Sequence, residues 1–138
     1  MKSRARQLLV VCGSRAGHGE AVVEELVGSG YDARHCIDEE SLMEAAFTLR
    51  PRAIVYELHH QLPVDLAILA LVRRLLPHVP LIVVAGAMAE QAVRALRAVN
   101  PTVLTHDPVD RSELLDAVRL ALRRAGMVER REHAAVGA

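Results

Sequence analysis

The chain has 138 residues, 51% of them hydrophobic, enough to close one core of ordinary domain size and too few for two. Its 17 basic and 17 acidic residues cancel, and with no block of like charge there is no electrostatic ground for binding nucleic acid or an anionic membrane. No apolar run reaches the roughly 18 to 20 residues that span a bilayer, and Met1-Lys2-Ser3-Arg4 leads into a strand-like run rather than a secretory signal, so a cytoplasmic protein is expected.

In chain order, the first apolar run is Leu8 to Cys12, followed by a helix candidate from about Gly19 to Val27 that Gly28 and Gly30 close. A short strand over Ala33 to Cys36 comes next. Asp38 then caps a helix over Glu39 to Leu49, with Glu39 and Glu40 in the first turn where carboxylates favour the helix dipole. The third strand, Ala53 to Leu58, is followed by a helix from Asp65 to Leu76, and the fourth, Leu81 to Ala85, by a helix from Ala87 to Ala98. The fifth strand spans Thr102 to Thr105, and Asp110 caps a last helix from Arg111 to Arg124, with Glu113 in its first turn. Pro51, Pro63, Pro77, Pro80, Pro101 and Pro108 all fall between these elements, where a missing amide does no harm. Residues 126–138 are polar or small and are expected to form a disordered tail or linker behind a domain of residues 1–125. The first, third and fourth strands are nearly all apolar, as strands buried on both faces should be, so the alternation predicts a parallel sheet covered by helices on both sides. Ligands of such folds bind at the carboxyl ends of the strands.

Five phrases stand out along this alternation: Gly30-Tyr31-Asp32, Arg50-Pro51-Arg52-Ala53-Ile54-Val55, Pro80-Leu81-Ile82-Val83-Val84, Ala92 to Ala98, and Pro108-Val109-Asp110 with Glu113-Leu114-Leu115. Together they resemble the receiver domains of bacterial two-component response regulators. The likeness covers nearly all of residues 7 to 124 and implies a flavodoxin-like (βα)5 fold, with a five-stranded parallel sheet in the order 2-1-3-4-5. A working receiver is expected to carry an acidic pair after its first strand to bind magnesium, an aspartate acceptor ending the third, a Thr or Ser ending the fourth, and a lysine ending the fifth. Here the acidic pair is replaced by Cys12 and Gly13, the acceptor by Glu57, the hydroxyl by Ala85, and His106-Asp107-Pro108 stands where lysine before proline is expected. The only lysine in the chain is Lys2, before the first strand. Phosphoryl transfer depends on positioning and on neutralising charge with metal and cation, so Glu57 alone should not support it. Pro63 also lies six residues after Glu57 rather than four, leaving a remodelled loop that contains His59 and His60.

Each remaining residue has a bland reading beside a sharper one. Glu57 is either a leftover carboxylate or a permanent mimic of a phosphorylated state. Cys12, His59 and His106, with Glu57, His60 and Asp107, have the donor chemistry of a zinc-like site, but no diagnostic spacing, so no metal is expected. In the receiver strand order Cys12 and Cys36 end neighbouring strands, near enough for a disulfide, against the reading of two small thiols kept reduced. Catalysis by Cys12 would need a depressed thiol pKa and a base such as His106. Gly13 to Gly19 fits neither dinucleotide nor P-loop spacing and reads as a loop. The third helix, Leu66 to Val72, is apolar almost all round, more than one sheet-facing stripe requires. In receivers the fourth helix, fifth strand and fifth helix form a common contact surface, which here would carry Arg94, Arg97, Arg119, Leu120 and Arg123. The expectation is a bacterial pseudo-receiver that is not an enzyme, needs no cofactor or phosphorylation, and regulates through a protein partner or a homodimer. The alternative is a small-ligand or metal-sensing domain that uses the strand-end pocket.

Overall fold

The computed structural model describes residues 7–13, 18–58, 62–85, 90–99, 101–106 and 111–136, with backbone alone at 18, 90, 106, 111 and 127–136. Five strands alternate with five helices: β1 (Leu8–Cys12), α1 (His18–Gly28), β2 (Asp32–Cys36), α2 (Glu39–Leu49), β3 (Ala53–Glu57), α3 (Leu62–Leu75), β4 (Leu81–Ala85), α4 (Glu90–Ala98), β5 (Val103–His106) and α5 (Arg111–Val136). All strand pairs are parallel, in the order β2-β1-β3-β4-β5.

Alternation along the strands divides the core into two layers. Val10, Cys12, Ile54, Tyr56, Leu81, Val83 and Ala85 face α2, α3 and α4, where Leu42, Ala46, Leu69, Val72 and Leu96 meet them. Leu9, Val11, Ala53, Val55, Ile82 and Val84 face α1 and α5, against Leu26, Leu114, Ala117, Val118 and Ala121. Both faces of the three central strands are therefore dry, which is why their sequences read as unbroken apolar runs. β2 lies at the edge, and its exposed Asp32 and Arg34 keep that edge charged.

Local chemistry sets the boundaries. Asp38 sits at the α2 N-cap in extended conformation, and its Oδ1 accepts the Ser41 amide at 2.7 Å; that bond holds its carboxyl below the usual carboxylate range. Gly30 adopts φ +98 in the turn after α1, a backbone region that costs glycine little. Arg50 takes the same left-handed region at the α2 C-cap, just before Pro51.

The structure departs from the sequence expectation at the start of α3 and at the end of α5. α3 begins at Leu62 and so includes Pro63, because a proline in the first turn gives up only an amide that has no intrahelical partner. The described part of α4 is Glu90–Ala98, and Ala87, where the sequence places its start, lies outside the described residues. α5 does not stop at Arg124 but continues to Val136, where a disordered tail is expected from sequence. Residues 127–136 hold no proline, and a helix already nucleated propagates cheaply through Glu, Arg and Ala; the one glycine, Gly126, costs about 1 kcal/mol. The Asp110 cap, residues 14–17 of the Gly13 to Gly19 segment, and His59, His60 and Asp107 lie outside the described residues, as does the side chain of His106.

Candidate functional site

The strand ends that carry chemistry in folds of this kind are Cys12-Gly13, Glu57, Ala85 and His106. Glu57 closes β3 half-buried, one residue after the fully buried Tyr56. A Cβ built on Gly13 would stand 3.3 Å from Glu57 Cβ, 3.6 Å from its Cδ and 3.7 Å from its Oε1. The glutamate therefore lies over the glycine, with its Cβ and its carboxyl group in the room that a side chain at 13 would need. Gly13 is also held from both sides, with its amide donating to the Cys36 carbonyl at 3.2 Å and its carbonyl accepting from His35 Nε2 at 2.8 Å. His35 packs on Gly19 so closely that a Cβ there would run into the imidazole.

Cys12 does not share this corner. Successive strand residues point to opposite faces, so Cys12 enters the α2–α4 layer while Gly13 and Glu57 belong to the other. A single row crosses that inner layer in register: Cys36, Cys12, Tyr56, Val83 and Leu104. Burial pushes the Cys12 thiol up to about 12, with smaller pushes from Cys36 and Glu39, and burial raises Cys36 as well. A depressed thiol, which nucleophilic catalysis by Cys12 would need, is the opposite of what this environment produces. The zinc-like set is likewise divided, because Cys12 and Glu57 lie on different faces, and the imidazoles of His59 and His106 fall outside the described side chains. Among the described residues no group of three metal-ligating side chains gathers.

A polar pair lies in the same row that composition alone conceals. Tyr56 donates its phenolic O–H to Asp65 Oδ1 at 2.7 Å, and both residues are fully buried. Burial, then the bond to Asp65, pushes the phenol up, so it remains a donor. This bond pins the first turn of α3 to the end of β3. The sequence hint was a lone carboxylate inside an otherwise apolar helix, which reads equally well as a first-turn charge favouring the dipole.

The α4–β5–α5 side forms a shallow open groove of about 530 Å³. Its lining includes Arg97 from α4, Thr102 and Val103 from the β5 approach, and Leu120 and Arg124 from α5. Leu120 is 37% exposed. Arg94, Arg119 and Arg123 are exposed on the same helices without lining the groove, and Arg119 stands 3.9 Å from Asp116. Thr102 organises the floor: its carbonyl accepts from Arg124 Nη1 at 2.6 Å, and its Oγ1 accepts from the Leu81 amide at 3.0 Å and Arg73 Nη2 at 3.4 Å. Thr102 and Arg124 were not singled out from sequence, since a threonine before a strand carries no signal of its partners. α3 presents a further apolar stripe, with Val64, Leu71 and Leu75 exposed.

No protein-family model matches the sequence, and no curated protein matches it by sequence comparison. Solved structures do. The response regulator receiver protein from Pseudomonas putida is 23% identical, with a TM-score of 0.74 over 85% of this chain and 98% of its own. A CheY-like receiver domain protein from Methanospirillum hungatei is 11% identical and reaches a TM-score of 0.80 over 89% of this chain and 98% of its own. NtrX from Brucella abortus is 21% identical, with a TM-score of 0.79 over 96% of this chain but 29% of that protein. Strand order, five-helix arrangement and these superpositions define a receiver fold of the flavodoxin-like class.

Proposed function

We propose that this chain is a phosphorylation-independent pseudo-receiver that serves signal transduction by protein contact through its α4–β5–α5 surface. The fold likeness to response regulator receivers supports the signalling role. The observation that carries phosphorylation independence is the packing of Glu57 over Gly13. A phosphoryl group entering at the end of β3 would need a cation and hydroxyl donors around it. This corner instead has a glycine where an acidic ligand would stand and a buried alanine, Ala85, at the end of β4, while the chain's single lysine is Lys2. The surface half of the reading rests on the groove, where an exposed leucine shares the lining with Arg97 and Arg124, an apolar residue beside the cationic type enriched at protein contacts. Its occupant is a protein partner or a second copy of this chain.

Native mass spectrometry before and after acetyl phosphate with magnesium tests the reading. Unchanged mass and unchanged oligomeric state are expected, and a stable phosphoryl adduct on Glu57 would overturn it.

A further inference from the structure

We propose that Cys12 and Cys36 are a disulfide-forming pair, closed reversibly by exchange with a small-molecule disulfide, that ties the end of β1 to the end of the edge strand β2. The two are register partners on adjacent parallel strands. Adjacent strands lie about 4.8 Å apart, inside the roughly 4.4 to 6.8 Å range of Cα separations that disulfides span. Both side chains enter the same core layer, so their Cβ vectors are side by side rather than on opposite faces. Nothing stands between them, because they are immediate neighbours in the row that continues to Tyr56.

The setting makes the bond reversible rather than permanent. Cβ atoms of a registered parallel pair stand near the strand spacing, whereas a relaxed disulfide holds them at about 3.8 Å. Closing the bond therefore draws β2 inward by about 1 Å at its end. As an edge strand with one sheet neighbour, β2 can make that move, and the residual strain leaves the bond easy to reduce. Access favours Cys36 as the first thiol to react: it is 6% exposed against 0% for Cys12, and it leads into the exposed Ile37.

The exchange balances without a metal or flavin. Cys36, as thiolate, attacks one sulfur of the external disulfide RSSR; a mixed disulfide forms and one RS⁻ leaves. Cys12 gives its proton to solvent base and attacks the Cys36 sulfur, forming the internal bond and expelling the second RS⁻. The two thiols are oxidised by two electrons, and RSSR is reduced to two RSH. Because burial raises both thiols, the thiolate fraction is small near neutrality and the exchange quickens as pH rises. Closure also removes the weak bond from Cys36 Sγ to the Ser41 carbonyl at 3.6 Å, two residues before the Asp38 cap. Oxidation is thereby felt at the start of α2.

The test is incubation of the full chain with oxidised glutathione at mildly alkaline pH, followed by denaturing alkylation and intact mass. A species two hydrogens lighter is expected, resistant to alkylation, with Cys12 and Cys36 in one cross-linked peptide and full reversal by dithiothreitol. Cys12→Ala should stop at a glutathione adduct on Cys36. A folded wild-type protein that stops at that adduct, stays fully alkylatable, or closes the bond only in denaturant would overturn the proposal. Because all three outcomes are read on unmutated protein, a misfolded variant cannot rescue or sink it.

Discussion

Glu57 and Gly13 fit one another as a long side chain fits a missing one, with 3.3 Å between Glu57 Cβ and the place where a Cβ on Gly13 would be. Two departures from a working receiver that look independent in sequence are thus one packing solution. Gly13→Ala should cost about 1 kcal/mol, because the close approach of the two β-carbons must be relieved by a small shift at the end of β3. In Glu57→Gly, which removes the Cβ that meets it, the same substitution should cost little, and a double-mutant cycle in urea should return a coupling of about 0.5 to 1 kcal/mol. Additive costs would mean that the two β-carbons do not meet.

Gly19 and His35 form a second interlocked pair. A Cβ at 19 would displace the imidazole, and with it the 2.8 Å bond to the Gly13 carbonyl. Gly19→Ala is expected to lower stability by about 1 to 2 kcal/mol, from overpacking and the lost bond together. His35→Ala should cost less alone and should abolish most of the Gly19→Ala penalty. Thermal melts of the two single variants and the double variant decide it.

How far the sequence carried the structure depends on whether a feature was local. β1 and β4 were bounded to the residue because a strand buried on both faces must be apolar at every position, and α2 because Asp38 and Pro51 mark its two ends. Pro63 misled, since a proline breaks a helix interior but not its first turn. Tyr56–Asp65, Gly19–His35 and Gly13–Glu57 were not legible, because each joins residues on different elements and none leaves a periodic trace. The face on which Cys12 lies was legible in principle from alternation, but grouping it with Glu57 at the strand edge obscured that.

Thr102 joins β4, α3 and α5 through three accepted bonds. Thr102→Val keeps the shape but removes the acceptor of the Leu81 amide, and Leu81 is buried. An unsatisfied buried donor costs about 1 to 3 kcal/mol, so a loss of that size is expected in urea unfolding. Thr102→Ser, which retains the hydroxyl, should lose less than half as much.

The groove supplies a prediction that separates contact from stability. Leu120 is exposed, so Leu120→Asp should leave the melting behaviour of the isolated domain within about 0.5 kcal/mol. Association through this face should weaken at least about tenfold, equivalent to 1.4 kcal/mol, as should association of Arg97→Glu. Sedimentation velocity over a concentration series reads the effect for a second copy, and titration calorimetry reads it for a captured partner. Equal association by both variants would move the contact to another face, with the α3 stripe of Val64, Leu71 and Leu75 next in line.

Alkaline pH should destabilise the fold through its inner row. Burial raises the Cys12 thiol from its ordinary 9.0 to about 12, and burial with the Asp65 bond raises Tyr56 above its ordinary 10.0. Both groups hold their protons more tightly folded than unfolded. Their contribution is therefore intact below about pH 9 and is lost as pH climbs toward 12, by about 1.4 kcal/mol per pH unit for each group that titrates only in the unfolded chain. Cys12→Ala removes one such proton. Whatever its cost at neutral pH, its stability should fall less steeply than wild type above pH 9, where the slope is set by protons rather than packing. Urea unfolding at a series of pH values, under reducing conditions so that Cys36 stays a thiol, measures both slopes. Parallel curves would mean that the Cys12 thiol titrates alike in the folded and unfolded chain.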